Sequence, residues 1–455
     1  MSSKALSRLV TLISQSESHQ DLLQQFANGR IDVLAPSTAH SLAVTLLDQL
    51  RADHAIRRVQ LVVVATGREA EDTALALRAL APNCEILEFP SWETLPHERL
   101  SPSPETVGKR LQVLHRLHEL NDLKRVDHPV FVLASVRAVL QPVVAGLEQH
   151  PPLKIKRGAD YLLPELSLKL IELAYERVDM VTKRGEFAVR GGIVDVFPTT
   201  ADHALRLEFF GDELEEIREF AVADQRSLPR DAAEKIEEVK LFAAREVIIT
   251  PAVAARAREM VHEFPNLSTM LEKISQGMPV EGMESLAVAL VDKMVPFVDY
   301  LPSDAGVTML SPEKCAARAA SLVETNDEFL HAAWDAAIEG ASAPIDLSRG
   351  GFVDLGEFSQ SISKRQFVTV TQFPSDDDRQ VNLGFLEIPR FADSHTTVTA
   401  WIEDQLQHGQ KVVVVAEGHG TAERIAEVLK VQSISASVVD EIPDRLTDGV
   451  VYLSQ

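Results

Sequence analysis

Between residue 31 and about residue 140, short β-branched runs alternate with stretches of helical spacing, the order that a parallel sheet demands. The runs are Ile31 to Leu34, Val59 to Ala65, Glu85 to Phe89 and Val130 to Leu133. Apart from isolated polar positions such as Asp32, Gln60 and Glu88, they are apolar enough for strands covered on both faces. The segments between them read as capped helices. Thr66 followed by Glu69 makes a capping box, opening a helix that places Ala70, Ala74, Leu77 and Ala81 on one face before Pro82 stops it. Ser135 is a cap for another helix.

Around residues 175 to 245 the period changes to two. Phe187 and Val189 alternate with Ala188 and Arg190, and Leu205, Leu207 and Phe209 alternate with Arg206 and Glu208. Gly191-Gly192 and Gly211-Asp212 supply turn chemistry between runs. The pattern predicts an antiparallel sheet with one wet face, distinct enough from its surroundings to be an inserted domain.

Helical spacing returns from about 246 to 345, as in Pro251 to Phe264, with a strand at Val307 to Leu310. A polar, acidic loop at Ser375 to Asp378 precedes a last unit. There Val412 to Val415 reads as a buried strand, Thr421 to Leu429 as a helix and Val450 to Leu453 as another strand. The expected division is an α/β domain whose first part spans 1–145 and second part 246–345, an antiparallel insert at 146–245, a linker at 346–380 and a small α/β domain at 381–455. Ending on a strand suggests a piece of something longer.

Composition narrows the function classes. With 45% apolar and 25% charged residues in 455, and a mean hydropathy of -0.01, the chain has the make-up of folded globular protein. No apolar run approaches the length of a membrane span. The N-terminal Leu6, Leu9, Val10 and Ile13 follow helical spacing rather than the block of a signal peptide. Two cysteines, Cys84 and Cys315, stand far apart without ligand-like neighbours, which fits a reducing cytoplasm. The net charge of -23 argues against coating nucleic acid by bulk electrostatics, because phosphate binding needs clustered Lys and Arg.

Chemistry-bearing motifs are few. In a nucleotide-binding α/β domain the phosphate loop would follow the first strand, because amides at a helix N-terminus cradle phosphate. The residues there are Ala35-Pro36-Ser37-Thr38-Ala39-His40, without the glycines and the Gly-Lys-Ser/Thr ending of a P-loop. The one Gly-Lys pair, Gly108-Lys109, lies inside a helical stretch. The fold expected is therefore α/β: a degenerate P-loop-type parallel-sheet domain with an inserted antiparallel β-rich domain, followed by a small α/β domain. His115 and His118 stand three apart on a helix with no HExxH or cysteine cluster, the pattern of solvated helix histidines. Glu213, Glu215 and Glu216 read as a charged strand edge rather than an acid pair. No Gly-x-Ser-x-Gly elbow or Cys-His signature exists, so neither a catalytic residue, a cofactor nor a metal site is expected.

Four charged residues remain: Arg177, Arg190, Arg206 and Glu208. If Phe187, Val189, Leu207 and Phe209 face the core, Arg190, Arg206 and Glu208 face outward together on the open side of the sheet. From pattern alone a plain solubilising face is the favoured reading. Arginine is, however, the side chain best suited to forked contacts with a partner's carboxylates.

Two stretches resemble known sequences: SWETLPHERLSPSPETVGKRL from Ser91, and YERVDMVTKRGEFAVRGGIVDVFP from Tyr175 with LRLEFFGDELEEIREF from Leu205. In order and spacing they resemble the N-terminal module of bacterial transcription-repair coupling factors and, more distantly, the excision-repair protein UvrB. The resemblance runs from about residue 5 to the end, including VNLGFLEIP from Val381, which resembles the link into a third domain. UvrB has a genuine P-loop and a DNA-clamping hairpin. Here the loop position reads APSTAHS and the stretch after Trp92 is too short for the hairpin, which favours the coupling-factor family over a UvrB-like, ATP-dependent repair enzyme.

The resemblance implies that the antiparallel domain docks the repair protein UvrA through Arg177, Arg190, Arg206 and Glu208. One arginine of the UvrB pattern is replaced by Ala188, so that contact is expected to be missing. For the whole family protein it implies an ATP- and Mg²⁺-dependent motor that translocates on double-stranded DNA and displaces stalled RNA polymerase, with none of that machinery in these residues.

Overall fold

The computed structural model describes residues 5–454 apart from 15–20, 23, 27–29, 96–97, 229–234, 339–350, 376–379, 390, 392–394, 417 and 444. Five of the predicted apolar runs, Ile31 to Leu34, Val59 to Ala65, Glu85 to Phe89, Val130 to Leu133 and Val307 to Leu310, join two further strands in one seven-stranded sheet. Its order is Gln380–Asn382, Arg30–Leu34, Phe367–Thr371, Gly306–Leu310, Val59–Val64, Val130–Ser135, Glu85–Phe89, and every neighbouring pair is parallel. Alternate residues of one strand feed two different cores. Leu61 and Val63 pack with Val107, Leu111 and Leu114 of the Pro104–Asp122 helix, while Val62 and Val64 pack with Ala43, Leu47, Ala74 and Leu77 of the helices His40–Asp53 and Gly67–Leu80. Burial on both faces is why these strands read as unbroken apolar runs.

The local signals act as expected at the helix starts. Thr66 Oγ1 accepts from Glu69 N at 3.2 Å, and the Glu69 carboxylate reaches back to Ala65 N at 3.1 Å, one residue before the position of a standard capping box. Ser135 Oγ accepts from Ala138 N at 3.3 Å.

The stretch 346–380 departs from the linker expected of it. Phe367–Thr371 is an interior strand of the large sheet, and Gln380–Asn382 is its edge, so the first domain's sheet runs through Asn382. The boundary expected at 345 falls in residues outside those described, as does the acidic loop beyond Ser375. Val381, expected to open a third domain, is buried against that sheet's core instead. The sequence FVTVT has strand alternation of its own, but the Ser- and Asp-rich residues after it set the composition of the region.

The insert is a five-stranded sheet in the order Glu213–Phe220, Ala204–Phe210, Ile193–Val196, Glu186–Arg190, Glu176–Arg177. All pairs are antiparallel except the last. The helix Leu163–Glu172 lays Leu166 and Leu170 on Phe187, Val194, Leu205 and Leu207. Where the chain enters and leaves the insert, Leu153–Lys156 pairs antiparallel with Glu238–Leu241.

Several contacts fix the insert to the large domain. Thr199 lies so close to Gly108 that a Cβ there would stand 2.3 Å from its Oγ1. Within the insert the Tyr175 hydroxyl donates to the Phe242 carbonyl at 3.1 Å and accepts from Thr199 N at 3.3 Å, and the Phe242 side chain packs into the large domain's core. Arg184 meets Glu105 at 3.1 Å. The Gly-Lys pair at 108–109 therefore serves close packing on a helix. A last unit carries a separate parallel sheet in the order Val412–Val415, Val450–Ser454, Ser435–Val438 with the helix His419–Val431.

Candidate partner-docking face

Strand alternation and register decide which charged side chains of the insert share a side. Ala188, Asp195, Arg206 and Arg218 stand opposite one another across four strands, and Arg190, Ile193, Glu208 and Glu216 form the neighbouring row. Phe187, Val194 and Leu207 belong to the opposite, core-facing side. Arg190, Arg206 and Glu208 are thus brought to one face. Arg177 is exposed on the edge strand in register with Phe187, so alternation puts it on the Phe187 side at the sheet's open edge and not on the face of Arg190, Arg206 and Glu208.

The hairpin that presents Arg190 needs its glycines. Gly191 has φ +60°, and a Cβ at Gly192 would sit 2.9 Å from the Phe209 carbonyl oxygen.

This face is less open than alternation alone predicts. Ala188, Phe197, Ala204 and Phe220 form a second apolar cluster with Val181, flanked by Val178 and Val222, so the chain's own connections cover part of it. What remains accessible is a charged border. Arg190 is exposed and its guanidinium donates to the Asp179 carbonyl through Nε at 3.1 Å and through a terminal nitrogen. Arg206 has a side chain 20% exposed. It donates through Nε to Asp195 Oδ1 at 2.7 Å and through a terminal nitrogen to Oδ2 at 2.8 Å, while its guanidinium lies 4.8 Å from the Phe220 ring centroid. The hydrogen bond to Asp195 holds the Arg206 pKa above its ordinary value. Arg218 lies 2.5 Å from Glu216 and 3.8 Å from Glu208.

The two arginines therefore differ in charge balance. Arg190 bonds to a neutral carbonyl and has no carboxylate partner among the described residues, whereas Arg206 is neutralised by a buried carboxylate. Asp195, Phe220 and Arg218 were not among the residues predicted for this face. The signal for Asp195 was available, since it stands between Val194 and Val196, both turned to the core.

At the phosphate-loop position, Ser37–Ala39 form a single 3-10 turn ahead of the His40–Asp53 helix. His40 is buried, and burial lowers its pKa below the ordinary 6.5. Around it Lys314 meets Glu69 at 3.4 Å and Thr371 Oγ1 meets Glu313 at 3.2 Å. His115 packs edge-on against Phe242 while His118 is exposed. Glu213, Glu215 and Glu216 lie on the insert's edge strand. Burial pushes the Cys315 thiol up to about 12, leaving it an inert core residue.

Residues 153–246, which contain the insert's five-stranded sheet, match the family model of the UvrB interaction domain. Over 454 aligned residues, covering 95% of the chain, it is 38% identical to the transcription-repair-coupling factors of Mycobacterium bovis and Mycobacterium tuberculosis. The chain belongs to the transcription-repair-coupling factor family. The Bacillus subtilis coupling factor is 29% identical over 52% of the chain. This coupling-factor chain spans 36% of the length of its mycobacterial relatives. No helix among its described residues is long and apolar enough to cross a membrane.

Proposed function

We propose that this chain docks UvrA through the outer face of the insert, and so recruits excision repair to a site where transcription has stalled. The observation that carries this reading is the convergence of Arg190, Arg206 and Glu208 on one face of the domain that matches the UvrB interaction domain. Arg177 would add a flanking contact from the sheet edge. Such a border suits a partner that sets carboxylates against the arginines and a basic group against Glu208. With Ala188 buried in the row beside Asp195, that position offers no polar contact.

In the same reading the ATP, Mg²⁺, double-stranded DNA and RNA polymerase of the whole family protein belong to parts outside this chain. The chain itself acts as an interaction module in the cytoplasm, with no catalytic residue or cofactor of its own.

Titration of the 455-residue chain into purified UvrA, without nucleotide, tests the proposal. Wild type should bind, and the double variant Arg177→Glu, Arg190→Glu should lose at least a hundredfold in affinity, because repulsion replaces two charge-assisted contacts. Unchanged binding by that variant would remove this face from the reading.

A further inference from the structure

We infer that Asp195 is a positioning residue for UvrA docking: its buried carboxylate sets the direction in which Arg206 meets the partner. The inference rests on the docking function proposed for the outer face.

Asp195 is 3% exposed and stands directly opposite Arg206 in the antiparallel ladder. Its two oxygens take Nε and one terminal nitrogen of Arg206 at 2.7 and 2.8 Å, which is the forked geometry that fixes a guanidinium plane. The Phe220 ring, 4.8 Å from the guanidinium carbon, supports it from a second direction. An arginine in solution samples many rotamers, and freezing one on binding costs affinity. Here that ordering is complete before the partner arrives.

The arrangement also restricts what the partner can do. The side edge of the Arg206 guanidinium is occupied by Asp195, so a partner acceptor is left the end-on approach, toward the terminal nitrogens. A partner carboxylate aimed at the side edge would compete with Asp195 and be repelled by it. Arg190, held by a carbonyl, has no carboxylate on its fork among the described residues. Asp195 thus sets direction at Arg206, a specificity that a bare arginine on a flat sheet lacks.

The experiment uses the 455-residue chain and purified UvrA, with Asp195→Asn, Arg206→Ala, Arg206→Lys and the double variant Asp195→Asn, Arg206→Ala. Thermal melting checks that each folds. Asp195→Asn should weaken binding about tenfold, the scale of one charge-assisted hydrogen bond. Arg206→Ala should weaken it to a similar degree, and the double variant should bind no worse than either single one, since both disrupt the same contact. Wild-type affinity in Asp195→Asn while Arg206→Ala weakens, or additive losses in the double variant, would overturn the inference.

Arg206→Lys tests the same point without altering Asp195, should the asparagine variant fail to fold. Lysine keeps the charge and loses the fork, so it should bind as weakly as Arg206→Ala; binding at the wild-type level would overturn the positioning role. If wild type binds UvrA but Arg206→Ala and the Arg177/Arg190 reversal both leave it unchanged, the docking reading itself fails, and the inference falls with it.

Discussion

Arg110 and Glu246 form an ion pair with no solvent exposure on either side chain, although 136 positions and the whole insert separate them in the chain. Glu246 also accepts from the Trp92 indole at 3.0 Å, and the Arg110 guanidinium lies 4.2 Å from the centroid of Phe89. The pair joins the helix before the insert to the segment after it. Removing one partner strands a charge in an apolar site, which costs about 3–5 kcal/mol. Arg110→Met and Glu246→Gln should each lower the urea midpoint by that equivalent. The double replacement Arg110→Met, Glu246→Leu should recover most of the loss, because neither charge is then left unpaired. A double variant as unstable as the worse single one would refute this account.

Gly108 serves a different part of the same junction. A Cβ there would lie 2.5 Å from Thr199 Cβ, a distance that the two elements can relieve only by separating. Gly108→Ala should therefore destabilise the chain by about 1–3 kcal/mol, the ordinary range for overpacking. Although alanine favours helix over glycine, the clash outweighs the about 1 kcal/mol of propensity gained. Thr199→Gly in the same chain should restore part of the loss. Equal stability of Gly108→Ala and wild type in chemical denaturation would show that the contact yields freely.

How far these features could be read from the amino-acid sequence depended on whether their cause is local. Strands such as Val59–Val64 announce themselves because burial on both faces demands a continuous apolar run, and the caps at Thr66 and Ser135 are set within four residues. The interior strand Phe367–Thr371 was lost in a supposed linker. It carries two threonines, one of which donates to Asp32 at 2.6 Å, a partner more than three hundred residues away. Gln60 is explained in the same manner, by its 2.6 Å bond to Thr308. Pairings of this kind are a product of strand order, which periodicity does not encode.

The outer face of the insert shows the same division. Alternation placed Arg190, Arg206 and Glu208 on one side, because side-chain direction follows from period alone. It could not place Val181 over Ala188 and Phe220, which depends on the path of a loop, nor Asp195 against Arg206, which depends on register. Arg177 shared a motif with the others but stands in the register of Phe187, since the parallel pairing of its strand is a tertiary fact.

The unequal charge balance of the two arginines predicts unequal kinetics. Arg190 has no carboxylate partner among the described residues and stands at an exposed position, where long-range attraction acts on encounter. Arg206 is neutralised by Asp195 and three-quarters or more covered, so its contribution begins only on contact. In stopped-flow binding to UvrA, Arg190→Ala should lower the association rate several-fold and flatten its salt dependence. Arg206→Ala should leave association within about twofold and raise the dissociation rate by about tenfold. The opposite assignment, with Arg206→Ala slowing encounter, would contradict this charge balance.

His40, where a phosphate loop would lead into its helix, bears on the stability of the large domain. It opens the His40–Asp53 helix, is 6% exposed, and its Nε2 has no hydrogen-bond partner among the described residues. Burial lowers its pKa from 6.5, outweighing the opposing pull of the Ala35 carbonyl and of Glu313. The unfolded chain therefore takes up a proton at this residue before the folded chain does, and acid favours unfolding. Between 6.5 and the lowered folded value, stability should rise with pH; above 6.5 the contribution is flat. Melting temperatures of wild type should accordingly fall as the pH is taken from 7.5 to 5.5. His40→Gln, which cannot acquire the charge, should fall less over that interval even if its stability at pH 7.5 is lower. Parallel curves for the two proteins would show that the ring finds water or a partner when protonated, and that this buried position imposes no acid penalty.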